Sequence, residues 1–210
     1  PAVACSAPIP SEVASPKSVA ITASTSEAYS ALFKLFCDPG DVILVEDPTY
    51  LAVLQTFGLA GARFVAVECD DDGVVPSALR AAIAEHDPKL VYLIPSFQNP
   101  SGRTMSEDRR RAVADVLLET GVMLVEDDPY SALRYDGEPI PTIASFEGMA
   151  AQTALLQTFS KSVAPGIRLG WARVPAGIRD AMVVAKQAID LHSSTVDQLA
   201  AVHYLTHPET

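Results

Sequence analysis

Apolar positions along this chain follow two rhythms. Short β-branched and aliphatic runs at residues 19–22, 42–45, 63–67, 90–94, 122–125, 153–157 and 171–174 predict strands. Between them, residues 26–36, 50–57, 76–85, 106–119, 178–191 and 196–205 have the spacing of helices. The first of these carries Leu32, Leu35 and Phe36 on one face and stops at Asp38-Pro39-Gly40. Pro76 opens another, and Ser106 caps one that Gly121 ends. Asp70-Asp71-Asp72-Gly73 reads as a turn. Repeated strand–helix units build a mostly parallel sheet with helices on both faces, an α/β fold of the three-layer αβα sandwich type. Such sheets bind ligands beyond the carboxyl ends of their strands. The chemistry is therefore expected at residues 22–26, 46–50, 95–102, 126–130 and 158–161. No internal repeat, low-complexity tract or interdomain linker interrupts the pattern.

The 210 residues suffice for one large domain or two small ones, and nearly half are apolar, so a core forms without disulfides. The net charge of −11 argues against non-specific binding to nucleic acid or to an anionic membrane. It leaves room for a small anion held by local basic groups. Cys5, Cys37 and Cys69 are odd in number and widely spaced, which fits free thiols in a reducing, cytoplasmic setting. His203 and His207 stand one helical turn apart, but no third ligand accompanies them, and no metal site is expected. Residues 1–15 lack the pattern of a secretion signal, and no apolar run approaches membrane-spanning length. The abrupt start and the ending at His207-Pro208-Glu209-Thr210 suggest a piece of a longer protein. GxGxxG, P-loop, HExxH and GxSxG patterns are absent, which weakens dinucleotide, nucleotide, zinc-protease and serine-hydrolase readings.

Five strand-end segments remain. Thr158-Phe159-Ser160-Lys161-Ser162, with Arg168 downstream in Pro165-Gly166-Ile167-Arg168-Leu169-Gly170-Trp171, pairs an amine with a nearby cation. That suits an aldehyde cofactor carrying a phosphate, although a loop lysine taken alone is ordinarily a solvated charge. In Ala23-Ser24-Thr25-Ser26-Glu27-Ala28, hydroxyls at a helix start suit a phosphate or a simple N-cap. Tyr50 stands at the end of Glu46-Asp47-Pro48-Thr49-Tyr50, able to stack on a planar group or to pack on the next helix. Asn99, within Pro95-Ser96-Phe97-Gln98-Asn99-Pro100-Ser101-Gly102, offers an amide donor in ordinary turn chemistry. Glu126-Asp127-Asp128-Pro129-Tyr130 puts three carboxylates at a strand end, and no local rule says which points inward.

Taken together, DPGDVILVEDPTY, YLIPSFQNPSGRTMSEDRR, VEDDPYSALRY and TFSKSVAPGIRLGW resemble the large domain of fold-type I pyridoxal-phosphate enzymes, the class I and II aminotransferases. The nearest likeness is to the subgroup of 2-aminoadipate-type transaminases and the enzyme-like domains of MocR regulators, over roughly residues 18–206. The resemblance implies a mostly parallel sheet with one antiparallel strand, and it makes residues 1–210 a cofactor-binding large domain. It assigns Lys161 as the Schiff-base lysine, Arg168 as the phosphate arginine, and Thr158 and Ser160 as hydroxyls beside that phosphate. Thr25 and Ser26 match the phosphate-binding turn, where many members carry a Gly-Ser-Gln-type sequence instead. Tyr50 matches the ring-stacking aromatic. Asn99 and Tyr130 match the pair bonding the phenolic oxygen, and Asp127 matches the partner of the pyridine nitrogen.

The activity implied is transamination between an amino acid and a 2-oxo acid, with Lys161, Asp127 and Tyr130 as catalytic residues. A homodimer is implied as well. The small domain that supplies the substrate-carboxylate arginine, and an N-terminal segment that closes the site, would lie outside the chain. Three alternatives accompany this reading. They are a non-catalytic effector-binding domain of a MocR-type regulator, a lyase or decarboxylase on the same fold, and a plain α/β binding domain without a cofactor.

Overall fold

A computed structural model describes residues 18–207. The strands are β1 (Val19–Thr22), β2 (Val42–Glu46), β3 (Arg63–Val67), β4 (Cys69–Asp70), β5 (Gly73–Val74), β6 (Leu90–Leu93), β7 (Met123–Asp127), β8 (Thr153–Thr158) and β9 (Gly170–Arg173). The helices are α1 (Thr25–Phe36), α2 (Leu51–Leu59), α3 (Pro76–His86), α4 (Glu107–Thr120), α5 (Phe159–Ser162), α6 (Ala176–Asp190) and α7 (Thr195–Thr206). Seven strands form one sheet in the order β1-β9-β8-β7-β6-β2-β3, and β4 and β5 form a separate small hairpin. β9 runs antiparallel to both of its neighbours, while β8, β7, β6, β2 and β3 pair in parallel. Both the mostly parallel sheet and its single reversed strand agree with expectation.

Two apolar clusters sandwich the sheet. On one face Ala28, Leu32 and Phe33 of α1, Val53 and Phe57 of α2 and Met182 of α6 pack on Ile43, Val45, Tyr92, Val125 and Leu156. On the other face Leu79 and Ile83 of α3 and Val113, Ala114 and Leu117 of α4 pack on Leu44, Val91, Leu93 and Leu124. Each fully buried aliphatic side chain contributes about 1.5–3 kcal/mol. β2 is buried at all five positions, which explains why its sequence reads as an unbroken apolar run rather than an alternation.

Helix ends follow local chemistry. Ser24 Oγ accepts from the Glu27 N–H at 3.2 Å, and Ser106 Oγ accepts from the Arg109 N–H at 3.2 Å. Gly121 closes α4 at φ 71°, a left-handed backbone that glycine takes without strain. The sequence pattern predicts a turn at residues 70–73 but not the short strands β4 and β5 on either side of it, and it misses one helix. Residues 159–162 form a short helix where a loop was expected, because the Thr158 side chain caps it by accepting from the Ser160 N–H at 3.1 Å.

The order of the strands reverses between β2 and β6: β3 lies on one side of β2, and β7 and β8 build outward from β6. A crevice opens at such a switch point, at the carboxyl ends of the strands. Cys37 and Cys69 are free thiols, whereas Cys5 and the segment 1–15 lie outside the described residues. Among the described residues, no helix is long and apolar enough to cross a membrane. No group of three or more His, Cys, Asp or Glu among them is placed to hold a metal, and the rings of His203 and His207 stack on each other at 4.5 Å.

Candidate active site

The three carboxylates that end β7 part company because side chains alternate along a strand. Glu126 turns toward the α3–α4 side, where its two oxygens accept from the N–H groups of Ile143 and Ala144 at 2.8 Å each. Asp128 accepts from the Ser131 hydroxyl at 2.6 Å and from the Gln157 amide at 2.8 Å. Asp127 lies with Val125 on the opposite face and is 1% exposed. Its Oδ2 accepts from the Tyr92 hydroxyl at 2.6 Å, while its Oδ1 is buried with no hydrogen-bond partner.

A buried acceptor left unpaired costs about 1–3 kcal/mol. Burial pushes the Asp127 carboxyl up to about 7, against the opposing Tyr92 hydrogen bond and with the Asp128 charge adding to the rise. Tyr92, fully buried beside it, is raised well above its ordinary value and stays a neutral donor. The site thus presents one open carboxylate oxygen, fixed from behind, in a water-poor place. A cationic N–H would satisfy it. The ring nitrogen of pyridoxal phosphate is such a group, so the donor set fits the cofactor that the sequence implies.

Asn99 and Tyr130 meet between the loops that follow β6 and β7, with the Asn99 amide donating to the Tyr130 hydroxyl at 3.3 Å. Lys161 on α5 places its Nζ 5.8 Å from the centroid of the Tyr130 ring, within cation–π reach, and its side chain is exposed. An open cavity of about 410 Å³ runs alongside, lined by Phe97, Gln98, Asn99, Pro100, Tyr130 and Leu133 among others. Three separate segments therefore converge as the strand-end rule predicts.

Arg168 stands in the left-handed region at φ 46° and is exposed. Its guanidinium donates to the Pro165 carbonyl at 3.3 Å and reaches the Ser160 hydroxyl at 3.5 Å. The Thr158 hydroxyl is engaged locally, donating to the Leu169 carbonyl at 3.3 Å while it caps α5. Thr25 and Ser26 open α1, and Ser26 Oγ accepts from the Tyr29 hydroxyl at 2.8 Å. Among the described residues no hydrogen bond joins Thr25 or Ser26 to Arg168.

Gly170 brings these two segments together. A Cβ there would lie 2.8 Å from the Gln157 carbonyl oxygen and 3.3 Å from the Ser24 carbonyl carbon, so only glycine lets β9 close against the β1–α1 turn. A helix N-terminus and a guanidinium are each suited to an anion. Tyr50 precedes α2 and is half-buried against the α1–α2 side of the core.

Four further residues shape the site without having been singled out in the sequence. Tyr92 is the partner of Asp127. Glu46 accepts from the Ile94 N–H at 2.9 Å and is pushed up to about 8 by burial. Gln98 donates to the Pro48 carbonyl at 2.7 Å, joining the loops after β2 and β6. Arg110 is fully buried behind the Asn99 loop. Two of these left a signal. A tyrosine inside the apolar run Leu90-Val91-Tyr92-Leu93 needs a partner for its hydroxyl. Arg110 shares helical spacing with Val113, Ala114 and Leu117, which marks it as inward-facing.

The sequence model of the family described as aminotransferase class I and II matches residues 11–210. An aromatic-amino-acid aminotransferase of Thermococcus litoralis is 40% identical over 190 residues, covering 88% of this chain and 45% of that protein. An uncharacterized HTH-type transcriptional regulator of Bacillus subtilis is 31% identical over 192 residues, covering 91% of this chain and 40% of that protein. The crystal structure of the α-aminoadipate aminotransferase LysN of Thermus thermophilus, complexed with N-(5'-phosphopyridoxyl)-L-leucine, superposes with a TM-score of 0.87 at 32% identity. That match covers 91% of this chain and 50% of the other. The chain spans about half the length of the curated relatives it matches.

Proposed function

We propose, from the premise that this chain belongs to the class I and II aminotransferase family, that it is the cofactor-binding large domain of an enzyme moving an amino group between an amino acid and a 2-oxo acid with pyridoxal 5'-phosphate. The single observation that carries this reading is the buried, unpartnered Oδ1 of Asp127 at the carboxyl end of β7. Bound there, the cofactor supplies an aldehyde that condenses with amines and a ring that takes up the electrons released when a Cα–H bond breaks.

The chain's own residues do the rest. Asp127 would accept the ring N–H and keep that nitrogen charged, with Tyr92 holding its other oxygen in place. Asn99 and Tyr130 would hold the phenolic oxygen between amide and hydroxyl. Arg168, whose planar fork matches two phosphate oxygens, would grip the phosphate together with Ser160, Thr158 and the α1 start at Thr25 and Ser26. Tyr50 would cover one face of the ring. Lys161 would hold the aldehyde carbon. Its Nζ would also be the base that takes the substrate Cα proton and returns it, as an amine on an exposed short helix could. A homodimer in the cytoplasm belongs to the same reading.

The test is direct. The purified chain is mixed with pyridoxal 5'-phosphate, its visible spectrum is recorded, and the adduct is reduced with borohydride before peptide mapping. Label on the peptide containing Lys161 is expected, and label elsewhere or none sinks the cofactor reading. A panel of amino acids is then followed for conversion to the pyridoxamine form, with 2-oxoglutarate reversing it. Cofactor binding with no conversion by any donor, in a full-length protein that carries an upstream DNA-binding domain, would move the assignment to the effector-binding domain of a regulator, the class to which the Bacillus subtilis relative belongs.

A further inference from the structure

Arg110 lies in the first turns of α4 and is 0% exposed. Its guanidinium reaches three stretches of backbone at once. Nε donates to the Met105 carbonyl at 3.0 Å, one terminal nitrogen donates to the Pro95 carbonyl at 3.0 Å and the Ser96 hydroxyl at 2.9 Å, and the other donates to the Pro141 carbonyl at 3.0 Å. Pro95 and Met105 are the two ends of the loop that carries Asn99, and the Met105 N–H closes on the Pro95 carbonyl at 2.8 Å. Within that loop most bonds are internal. The Gln98 N–H donates to the Arg103 carbonyl at 2.7 Å, the Gly102 N–H to the Gln98 carbonyl at 2.6 Å, and the Phe97 N–H to the Thr104 hydroxyl at 3.1 Å. The loop is thus a compact unit, anchored to the β2 side by Gln98 on Pro48 and to the α4 side by Arg110.

The Pro141 contact extends the clamp. Just beyond it, Ile143 and Ala144 give their N–H groups to Glu126, the residue before Asp127. One buried cation therefore ties the Asn99 loop to the segment that braces the end of β7. Burying a guanidinium is costly unless its donors are satisfied, and an apolar side chain of similar volume would serve stability as well or better. An ammonium is a point donor and cannot span acceptors set around a planar fork.

We propose that Arg110 is a positioning residue that fixes the loop 95–105 so that the Asn99 amide meets the Tyr130 hydroxyl in the site. The inference rests on the reading that this pair holds the phenolic oxygen of pyridoxal 5'-phosphate. Two measurements on this chain test it, using Arg110→Lys, Ser96→Ala, Asn99→Ala and the Asn99→Ala/Arg110→Lys double variant. Backbone hydrogen exchange reads the clamp without any cofactor. In Arg110→Lys, amides of residues 95–105 should exchange about tenfold faster, the loss of roughly one net hydrogen bond, while those of β2 and β8 keep their protection. Ser96→Ala removes a single acceptor and should act on the same amides about threefold. It also keeps the test alive if Arg110→Lys does not fold.

With pyridoxal 5'-phosphate bound, Asn99→Ala should shift the visible band and weaken binding about tenfold. Arg110→Lys should shift the band in the same direction, and the double variant should go no further than Asn99→Ala alone. Exchange that rises evenly over the whole chain, or spectral effects that add in full, would overturn the proposal and leave Arg110 a general stabiliser. A wild-type chain that takes up no pyridoxal 5'-phosphate refutes the cofactor reading instead. In that case the exchange pattern alone judges Arg110, and even or absent change still overturns it.

Discussion

Asp127 ends β7 and Arg168 lies in the turn that leads into β9, and their surroundings differ. Asp127 is 1% exposed and braced by Tyr92, and the strand ends and helix around it carry Glu46, Glu126 and Arg110, each buried and hydrogen-bonded to backbone. Arg168 and Lys161 are exposed, and what holds them is a short capped helix and the bonds of Arg168 to Pro165 and Ser160. The buried side is suited to electronic work, where a fixed carboxylate in a low-dielectric place acts strongly. The exposed side is suited to gripping charged groups that arrive from water. Mutation should therefore separate function from stability on the exposed side and entangle them on the buried side.

The largest effect should come from the exposed side. Lys161→Ala should abolish the borohydride-reducible adduct and slow amino-group transfer by at least about 10³-fold, since it removes both covalent attachment and the base. Because the side chain is exposed, thermal stability should stay within about 0.5 kcal/mol of wild type. A large loss of stability in this variant would erase the proposed contrast.

Next comes the buried side, where Asp127→Asn should slow transfer about 10²-fold, in the range lost when a preorganised electrostatic partner is removed. This variant should also change how the cofactor-free chain responds to pH. Glu46 is pushed up to about 8, and Glu126 and Asp127 to about 7, so each binds its proton more tightly folded than unfolded. Their contribution to stability is complete below the ordinary carboxylate range near about pH 4 and is lost as pH rises through those folded values. Stability of the cofactor-free chain should fall between pH 5 and pH 8. Asp127→Asn should flatten that fall by removing one of the three titrations, as denaturant melts at each pH would show. An unchanged slope would mean that Asp127 is not the buried titrating group the structure describes.

The same contrast explains what could be read from the chain. Strands and helices were legible nearly to the residue because apolar period, Pro76, Ser106 and Gly121 agree with one another. The exposed half of the proposed site rests on two residues that could be named from the sequence, Lys161 and Arg168, cations beside a strand. The buried half was less legible. Which of Glu126, Asp127 and Asp128 faces inward depends on the phase of β7, and the strand-end acids carry no local sign of it. That Tyr92 meets Asp127 depends on β6 pairing β7 in the register Tyr92 to Val125, a long-range fact. Arg110 carried a helical signal, but its acceptors at residues 95, 96, 105 and 141 come from loops whose path no periodicity describes.

On the exposed side, Arg168→Gln should raise the dissociation constant for pyridoxal 5'-phosphate about 10- to 100-fold, the worth of charge-assisted hydrogen bonds at about 1.5–3 kcal/mol. The wild-type affinity should fall with added salt and the variant's should fall less, because screening acts on the interaction the variant lacks. Titrations at two ionic strengths, with melting temperatures measured alongside, would decide it. A variant that unfolds more readily but binds as well as wild type would place Arg168 on the structural side of the comparison.

The smallest effect probes the boundary between the two halves, at the start of α1. Ser24 Oγ satisfies the Glu27 N–H, and the Glu27 carboxylate in turn accepts from the Ala23 N–H at 2.6 Å and pairs with the buried ammonium of Lys186 at 3.3 Å. These bonds shape the turn without using Thr25 or Ser26, which head the helix beside Gly170. Ser24→Ala should therefore cost about 1 kcal/mol of stability, as loss of an N-cap does. It should change pyridoxal 5'-phosphate affinity less than threefold, which is under about 0.7 kcal/mol. Chemical denaturation and a cofactor titration on the same preparation give both numbers. If affinity falls further than stability does, the N-cap hydroxyl itself reaches the phosphate, and the anion site begins one residue earlier than Thr25.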